Sequence, residues 1–329
     1  MKLSLRNYDI ILEQRLDFLK YLTPWMTKRV FILTDENVHH HYQSIMETLS
    51  DDIVVIPPNE SSKSLFMYEK TVKELLKRGI QRADLIVSFG GGVIGDLGGF
   101  IASTILRGVD HIMIPTTLLS MVDSSIGGKT GINTEDGKNV IGTFYEPKKV
   151  LIDPQFLITL DQEELQSGLA EMIKMALIGN KQLFHSIAAK EQVTLADIYD
   201  AIIIKKRIVE ADFKEQGIRA YLNFGHTFAH QIEKEKGFTI KHGHAVAYGM
   251  LYEMEIAIKL GLTPKHLYEE LYHLLIQKKM IECPITPKEH YINNTIFDKK
   301  RQGDTLVFTI LEDYEKPRLI HLAIEDLKR

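Results

Sequence analysis

Asp84-Leu-Ile-Val-Ser-Phe89-Gly-Gly-Gly-Val-Ile-Gly-Asp96 is a short apolar run that breaks at three glycines and then resumes with apolar residues at helical spacing. Such a run predicts a buried strand, and the glycines predict a tight turn whose backbone amides open a helix and can approach a phosphate. Upstream lie two more β-rich runs, Arg29-Val-Phe-Ile-Leu-Thr34 and Ile53-Val-Val-Ile56, and downstream lie His111-Ile-Met-Ile114 and Val150-Leu-Ile152. Between the second and third runs, residues 63–79 place Leu65, Val72, Leu75 and Leu76 at helical spacing and end on a glycine, which marks a crossover helix. Strand and helix in alternation predict a parallel, Rossmann-like α/β sheet.

Gly90, Gly92 and Gly95 satisfy G-x-G-x-x-G, but the turn follows the third run and not the first. Asp110, the acid about twenty residues on, is isolated. Taken alone, the motif reads equally well as a nucleotide loop or as a structural turn.

From about Thr159 the pattern changes to helix after helix, over residues 170–178, 195–209, 226–236 and 245–260. Pro154 follows the last run of the first half and sets the expected boundary. Residues 1–155 are thus expected to form an α/β domain and 156–329 a mainly α-helical one, with the active site in the cleft between them. The tail, Leu306-Val-Phe-Thr-Ile310 and Arg318-Leu-Ile-His-Leu322, reads as a hairpin.

With 44% hydrophobic and 26% charged residues, the 329-residue chain has the composition of an ordinary globular protein. A formal charge of −4 argues against general binding to nucleic acid or acidic membranes. Charges interrupt residues 1–19, so no signal peptide is expected, and no apolar run is long enough to span a bilayer. The single cysteine, Cys283, rules out an internal disulfide or a cysteine-based zinc knuckle and fits a reducing compartment, hence a cytoplasmic protein. Any metal must then be held by His, Asp or Glu.

Asp123-Ser-Ser-Ile-Gly-Gly-Lys-Thr130 ends like a P-loop but has Asp123 where that pattern needs glycine, which disfavours ATP. Lys129, Lys138 and Asn139 still offer cations and an amide suited to a small phosphate ester. Further on, Asn223-Phe-Gly-His-Thr-Phe-Ala-His230 puts His226 and His230 on one helical face. Lys241-His-Gly-His-Ala245 adds His242 and His244, and Glu171 and Lys174 stand one helical turn apart. Two histidines and one carboxylate suit a catalytic zinc with an open position, and spacing alone leaves the choice of histidines undecided. His39, His40 and His41 are consecutive, cannot face one point, and read as a solvated cluster.

At these residues the sequence resembles the 3-dehydroquinate synthase family of sugar-phosphate cyclases. The resemblance is carried by Thr-Asp-Glu-Asn-Val38, Glu60 with Lys63, Gly-Gly-Gly-Val-Ile-Gly-Asp96, Leu-Arg-Gly108, Pro-Thr-Thr117 and Val-Asp-Ser-Ser125. It continues through Gly-Gly-Lys-Thr-Gly131, Gly-Lys-Asn139, Gly-Leu-Ala-Glu171 with Ile-Lys174, and Asn-Phe-Gly-His-Thr227. The resemblance implies a metal, zinc or cobalt, on Glu171, His226 and His242, with His230 left to the substrate as a proton relay. It implies an NAD site lined by Asp35, Asn37, Glu60, Lys63, Gly90, Gly91, Gly92, Asp96, Thr116, Thr117, Lys138, Phe156 and Thr159, with Asp123 near both nicotinamide and substrate. Lys129, Asn139, Asn223 and Lys299 or Lys300 would hold the substrate phosphate, joined by Arg107 from a second subunit of a homodimer. Lys205 and Arg219 would take the substrate carboxylate, and Lys174 would lie beside the ring hydroxyls.

The implied reaction turns 3-deoxy-D-arabino-heptulosonate 7-phosphate into 3-dehydroquinate and phosphate, using NAD transiently. Two departures stand out: His242-Gly-His244 where the family has His-Gly-Glu, and Ala229-His230 where it has Gly-His. Neither removes an implied ligand, though His244 supplies a competing nitrogen. The rival readings are an inosose- or valiolone-forming cyclase, whose substrate lacks the carboxylate that Lys205 and Arg219 would bind, and a metal-dependent alcohol dehydrogenase, which would release NADH. A silent NAD or sugar-phosphate sensor would function without the metal.

Overall fold

The computed structural model describes residues 1–135, 137–237, 239–282 and 305–323. These form two compact units, Met1–Asp161 and Gln162–Arg329. In chain order the first unit runs β1 (Lys2–Leu5), β2 (Tyr8–Leu12), α1 (Phe18–Leu22), β3 (Val30–Asp35), α2 (Glu36–Leu49), β4 (Asp52–Ile56), α3 (Leu65–Lys77), β5 (Leu85–Gly90), α4 (Gly92–Thr104), β6 (Asp110–Pro115), β7 (Lys129–Thr134), β8 (Gly137–Phe144) and β9 (Lys149–Ile152). The second runs α5 (Gln162–Gly179), α6 (Lys181–Ala189), α7 (Leu195–Ala211), α8 (His226–Glu235), α9 (His242–Lys259), α10 (Lys265–Gln277), β10 (Thr305–Leu311) and β11 (Pro317–Ala323).

The first unit is built on a seven-stranded sheet in the order β4-β3-β5-β6-β9-β2-β1. Every pairing from β4 across to β2 is parallel, and only the β1–β2 hairpin is antiparallel. The quoted run is the fully buried strand β5, flanked by β3 and β6. Phe31, Leu33, Ile86, Leu97 and Ile101 are among the side chains packed in the core on this sheet. Chain direction is set locally by caps: Asp35 Oδ1 accepts from Val38 N at the start of α2 (2.9 Å), and Ser64 Oγ accepts from Met67 N at the start of α3 (3.3 Å).

Two parts of this unit were not expected from the sequence. Residues 2–12 form the edge hairpin β1–β2, and Lys129–Thr134 and Gly137–Phe144 form the antiparallel ribbon β7–β8, in a stretch read only for its cations and amide. Asp110 opens β6 at the end of the sheet opposite the glycines, bonded to Trp25 Nε1 (2.9 Å) and paired with Lys148 (3.4 Å). Its spacing from Gly90 is therefore a coincidence, as read.

Among the described residues the second unit is helical apart from the β10–β11 hairpin, which pairs in the tail as expected. Its central helix, α5, is buried continuously from Gln166 to Ile178. Helices α6 and α10 were not foreseen. Among the described residues no helix is long and apolar enough to cross a membrane.

Candidate functional site

In an open parallel sheet, ligands bind beyond the carboxyl ends of the strands, where the winding direction reverses. Here β3 leads to β4 on one side and β5 returns on the other, so the switch point lies between Asp35 and Gly90. At that end Gly91 caps α4 without any side-chain bond, leaving the helix's first amides available to an anion. Thr116 follows β6, its N–H bonded to Gly90 O (3.1 Å). Thr116 Oγ1 and Ser124 Oγ are buried without hydrogen-bond partners, and a Cβ on Gly92 would come within 3.3 Å of the latter. Orphaned hydroxyls around an uncapped helix start fit a dinucleotide phosphate. Asp123 sits in a π-helical turn, Ser120–Ser124, a rare geometry that recurs at functional sites.

Of the other residues assigned to NAD, three meet at Lys63. This buried lysine pairs with Asp96 Oδ2 (2.7 Å) and Glu60 Oε1 (3.7 Å). Burial would lower its pKa, but the two carboxylates outweigh burial and raise it. Asp96→Ala is expected to cost about 3 kcal/mol of stability, because it strips a buried ammonium of its nearer partner; urea unfolding that matches wild type would contradict this. Asp35 is occupied in capping α2, and burial raises its pKa. Asn37 is exposed on α2 and Lys138 on β8. Thr117 bonds Ser120 Oγ (2.9 Å). Phe156 turns its ring into a core cluster with Phe18 and Phe89 (centroids 5.9 and 5.2 Å), and Thr159 Oγ1 meets the Tyr42 hydroxyl (2.6 Å).

Lys129 and Asn139 are not cross-strand partners: Lys129 opens β7 opposite Phe144, while Asn139 sits nearer the ribbon's turn with its N–H on Asn133 Oδ1 (2.9 Å). Arg107 is exposed in a turn where Leu106 and Arg107 both have positive φ (50° and 63°).

In the second unit, Glu171, His226 and His242 come together from α5, α8 and α9, with one ligand atom of each lying within 4.8 Å of the others. His226 Nε2 and His242 Nε2 lie 3.7 and 3.4 Å from Glu171 Oε1. Both rings are oriented from behind: His226 Nδ1 lies 3.2 Å from Phe224 O, and His242 Nδ1 lies 3.4 Å from Glu233 Oε1. For His226, neutral at pH 7, the acceptor on Nδ1 puts the proton there and leaves the Nε2 lone pair facing Glu171, the tautomer a metal needs; His242 would reach the same tautomer on giving up its Nε2 proton. Glu171 is fully buried, and neither of its oxygens makes a hydrogen bond of good geometry, although Lys174 Nζ contacts Oε2. This donor set fits a divalent cation.

The electrostatics agree. Burial alone would raise the Glu171 pKa, but the Lys174 charge foremost, with His242 and His226, holds it well below the carboxylate range. Burial, then the charge of Lys174, holds His226 neutral down to about 3. His242 is also disfavoured by burial, yet its hydrogen bonds and charge contacts with Glu171 and Glu233 raise it to about 9.

His230 is exposed on α8, edge-on to His226 (5.7 Å between ring centroids) and outside the three-residue cluster. His244 points its Nε2 to Gln166 Oε1 (3.2 Å), so His242 alone of that pair faces Glu171. Lys205 is buried on α7; Arg219 is buried in the 3-10 turn Ile218–Asn223, which packs on α7, and its guanidinium donates to Phe213 O. Asn223, in the same turn, is exposed and donates to Glu215 Oε1 (3.3 Å). Lys299 and Lys300 lie outside the described residues. Glu233 and Glu253, two buried carboxylates behind the histidines, were missed by the sequence reading. The signal was spacing: Glu233 is two turns on from His226, and Glu253 three turns on from His242.

Family models of the 3-dehydroquinate synthase N-terminal and C-terminal regions match residues 53–167 and 168–301. Similar curated proteins include the 3-dehydroquinate synthases of Clostridium botulinum, 41% identical over 92% of this chain and 90% of that one, and of Clostridium beijerinckii, 40% identical over 99% and 98%. Among solved structures, 2-epi-5-epi-valiolone synthase of Streptomyces hygroscopicus with NAD+ and Zn2+ bound aligns over 99% of this chain and 96% of that one, with a TM-score of 0.88 at 24% identity. An iron-containing alcohol dehydrogenase aligns over 99% and 96% with a TM-score of 0.64 at 14% identity, a likeness of fold alone. The chain is a member of the 3-dehydroquinate synthase family.

Proposed function

We propose that this chain is an NAD- and metal-dependent lyase that converts 3-deoxy-D-arabino-heptulosonate 7-phosphate to 3-dehydroquinate and phosphate, a step of aromatic amino-acid biosynthesis. The observation that carries the reading is the cluster of Glu171, His226 and His242 with both Nδ1 atoms tied back, found in a chain about 40% identical to 3-dehydroquinate synthases over nearly its whole length. Held by Glu171, His226 and His242, zinc or cobalt would polarise the oxygen of a substrate secondary alcohol, and NAD would accept hydride from the carbon that bears it and later return it.

The chain's own groups bind and orient. Glu171 holds Lys174 beside the ring hydroxyls, while Lys205 and Arg219, both buried, receive the substrate carboxylate. That cationic pair favours this substrate over the rival cyclase substrates, which lack a carboxylate. Lys129, Asn139 and Asn223 hold the phosphate, with Lys299 or Lys300, and His230 relays a proton from the substrate. Asp35, Asn37, Glu60, Lys63, Asp96 and the Gly90–Gly92 turn receive NAD, with Thr116, Thr117, Lys138, Phe156 and Thr159 around it. Most of this work is positioning and charge stabilisation.

The reading includes a homodimer in which Arg107 reaches the partner's phosphate site, and a cytoplasmic location in keeping with the single cysteine. In support of the dimer, β8 exposes Val140, Ile141 and Phe144, and Leu106 beside Arg107 is exposed as well.

Incubation with the heptulosonate phosphate, catalytic NAD and zinc or cobalt should release phosphate and form 3-dehydroquinate in equal amounts. No phosphate release with either metal sinks the reading, and net NADH accumulation favours the alcohol dehydrogenase. A pH dependence follows as well. His242 is protonated below about 9, whereas Glu171 is already ionised and His226 already neutral. Zinc uptake at pH 7 should therefore expel one proton, and affinity should rise about tenfold per pH unit between pH 6 and 8. The same shift stabilises the metal-free fold fully below about pH 6.5, and this contribution is lost as pH rises through about 9. Calorimetry in two buffers of different ionisation heat reads the proton count; zero would refute the assignment.

A further inference from the structure

The start of α8 is built from outside the helix. Gly225, the residue before His226, has φ +82°, and α8 has no side-chain cap of its own. Its first amides are satisfied from α9 instead: Gly225 N donates to Glu253 Oε2 (2.8 Å) and Thr227 N to Glu253 Oε1 (3.2 Å). The two bonds bracket His226 on either side. Glu253 is 2% exposed, so its carboxylate meets these amides where little water competes, and its charge lies at the positive end of the α8 dipole. Helix α9 thus contributes His242 at its first residue and, three turns later, the carboxylate that fixes the backbone of the other histidine.

We infer that Glu253 is a positioning residue for the metal site: by clamping the two amides that flank His226, it sets where that ring sits relative to Glu171 and His242. The inference rests on the metal reading of those three residues. It distinguishes Glu253 from a carboxylate that merely stabilises a helix, such as Asp197, which is equally buried in the capping box of α7 but carries no ligand.

The test is zinc affinity, measured by competition with a chromophoric chelator, together with the visible spectrum of the cobalt-loaded protein. Glu253→Ala, Glu253→Gln and Asp197→Ala are compared at a temperature where each is folded. Glu253→Ala should weaken zinc binding about 10–100-fold and alter the cobalt bands, as changes behind a metal ligand do. Glu253→Gln, which keeps one acceptor, should fall in between. Asp197→Ala should lower the melting temperature and leave both metal readouts unchanged. If Glu253→Ala does not fold, Glu253→Gln carries the same comparison. Wild-type zinc affinity and cobalt spectrum in the Glu253 variants would overturn the inference, whatever happens to their melting temperatures. A wild-type protein that takes up neither metal would overturn the metal reading along with it.

Discussion

Glu171→Gln protein is expected to emerge from zinc dialysis without metal and to turn over about 100–1,000-fold more slowly or worse, since the metal it loses is the electrostatic stabiliser of the reacting oxygen. The substitution does more than remove a ligand. Lys174 is buried against this carboxylate, and an amide leaves its ammonium without a counter-charge, at a cost of about 3–5 kcal/mol. Adding Lys174→Met should restore much of that stability and none of the metal. His230→Ala separates the roles: its ring is exposed and outside the cluster, so metal content should stay stoichiometric while turnover falls about 100-fold or more. Metal analysis beside steady-state rates decides the matter, and a metal-free His230→Ala protein would place that ring among the ligands.

Gly249→Ala should be nearly as damaging, although residue 249 has no side chain and lies outside the Glu171, His226 and His242 cluster. A Cβ there would lie 1.9 Å from Gly225 O, and one on Gly225 would lie 2.9 Å from both Met250 N and Val246 O. The atoms that a Gly249 Cβ would meet, Gly225 O and C and Ala229 N, are all backbone, so no side chain there can swing aside. Helices α8 and α9 must separate, carrying His226 away from His242. Overpacking of this kind costs about 3 kcal/mol, a fall of about 6–12 °C in melting temperature for a unit of this size. The variant should also lose zinc when folded. A Gly249→Ala protein with wild-type melting and zinc affinity would show that the close approach is dispensable.

The parts legible in the sequence were those whose physics is local. Residues 84–96 declared a buried strand, a turn and a helix because β5 is covered on both faces and reads as a continuous apolar run. The β7–β8 ribbon was illegible for the opposite reason: nearly every residue of β8 is exposed, so no alternation marks it, and its lysines and amide were read for phosphate chemistry alone. The β1–β2 hairpin hid among charges that served only to exclude a signal peptide. At the candidate metal site, spacing offered His226 with His230 as readily as His226 with His242. The family resemblance chose the latter, and the geometry groups the same three residues because Glu171 and His242 arrive on other helices. Glu233 and Glu253 share a helical face with the histidines, but spacing alone does not separate them from carboxylates on a solvated face. Burial, a tertiary property, marks them out.

One further consequence belongs to the three-helix origin of the cluster. Glu171 comes from the first helix of its unit, His226 follows after a stretch of 55 residues (226 − 171), and His242 after a further stretch of 16 (242 − 226). A metal that binds all three closes those stretches into loops, as a covalent cross-link would, and binds the folded chain in preference to the unfolded one. With one cysteine, the chain cannot staple itself by an internal disulfide. Metal supply would then act as a folding cofactor as well as a catalytic one, so that cells short of zinc or cobalt would lose the protein itself and not only its turnover.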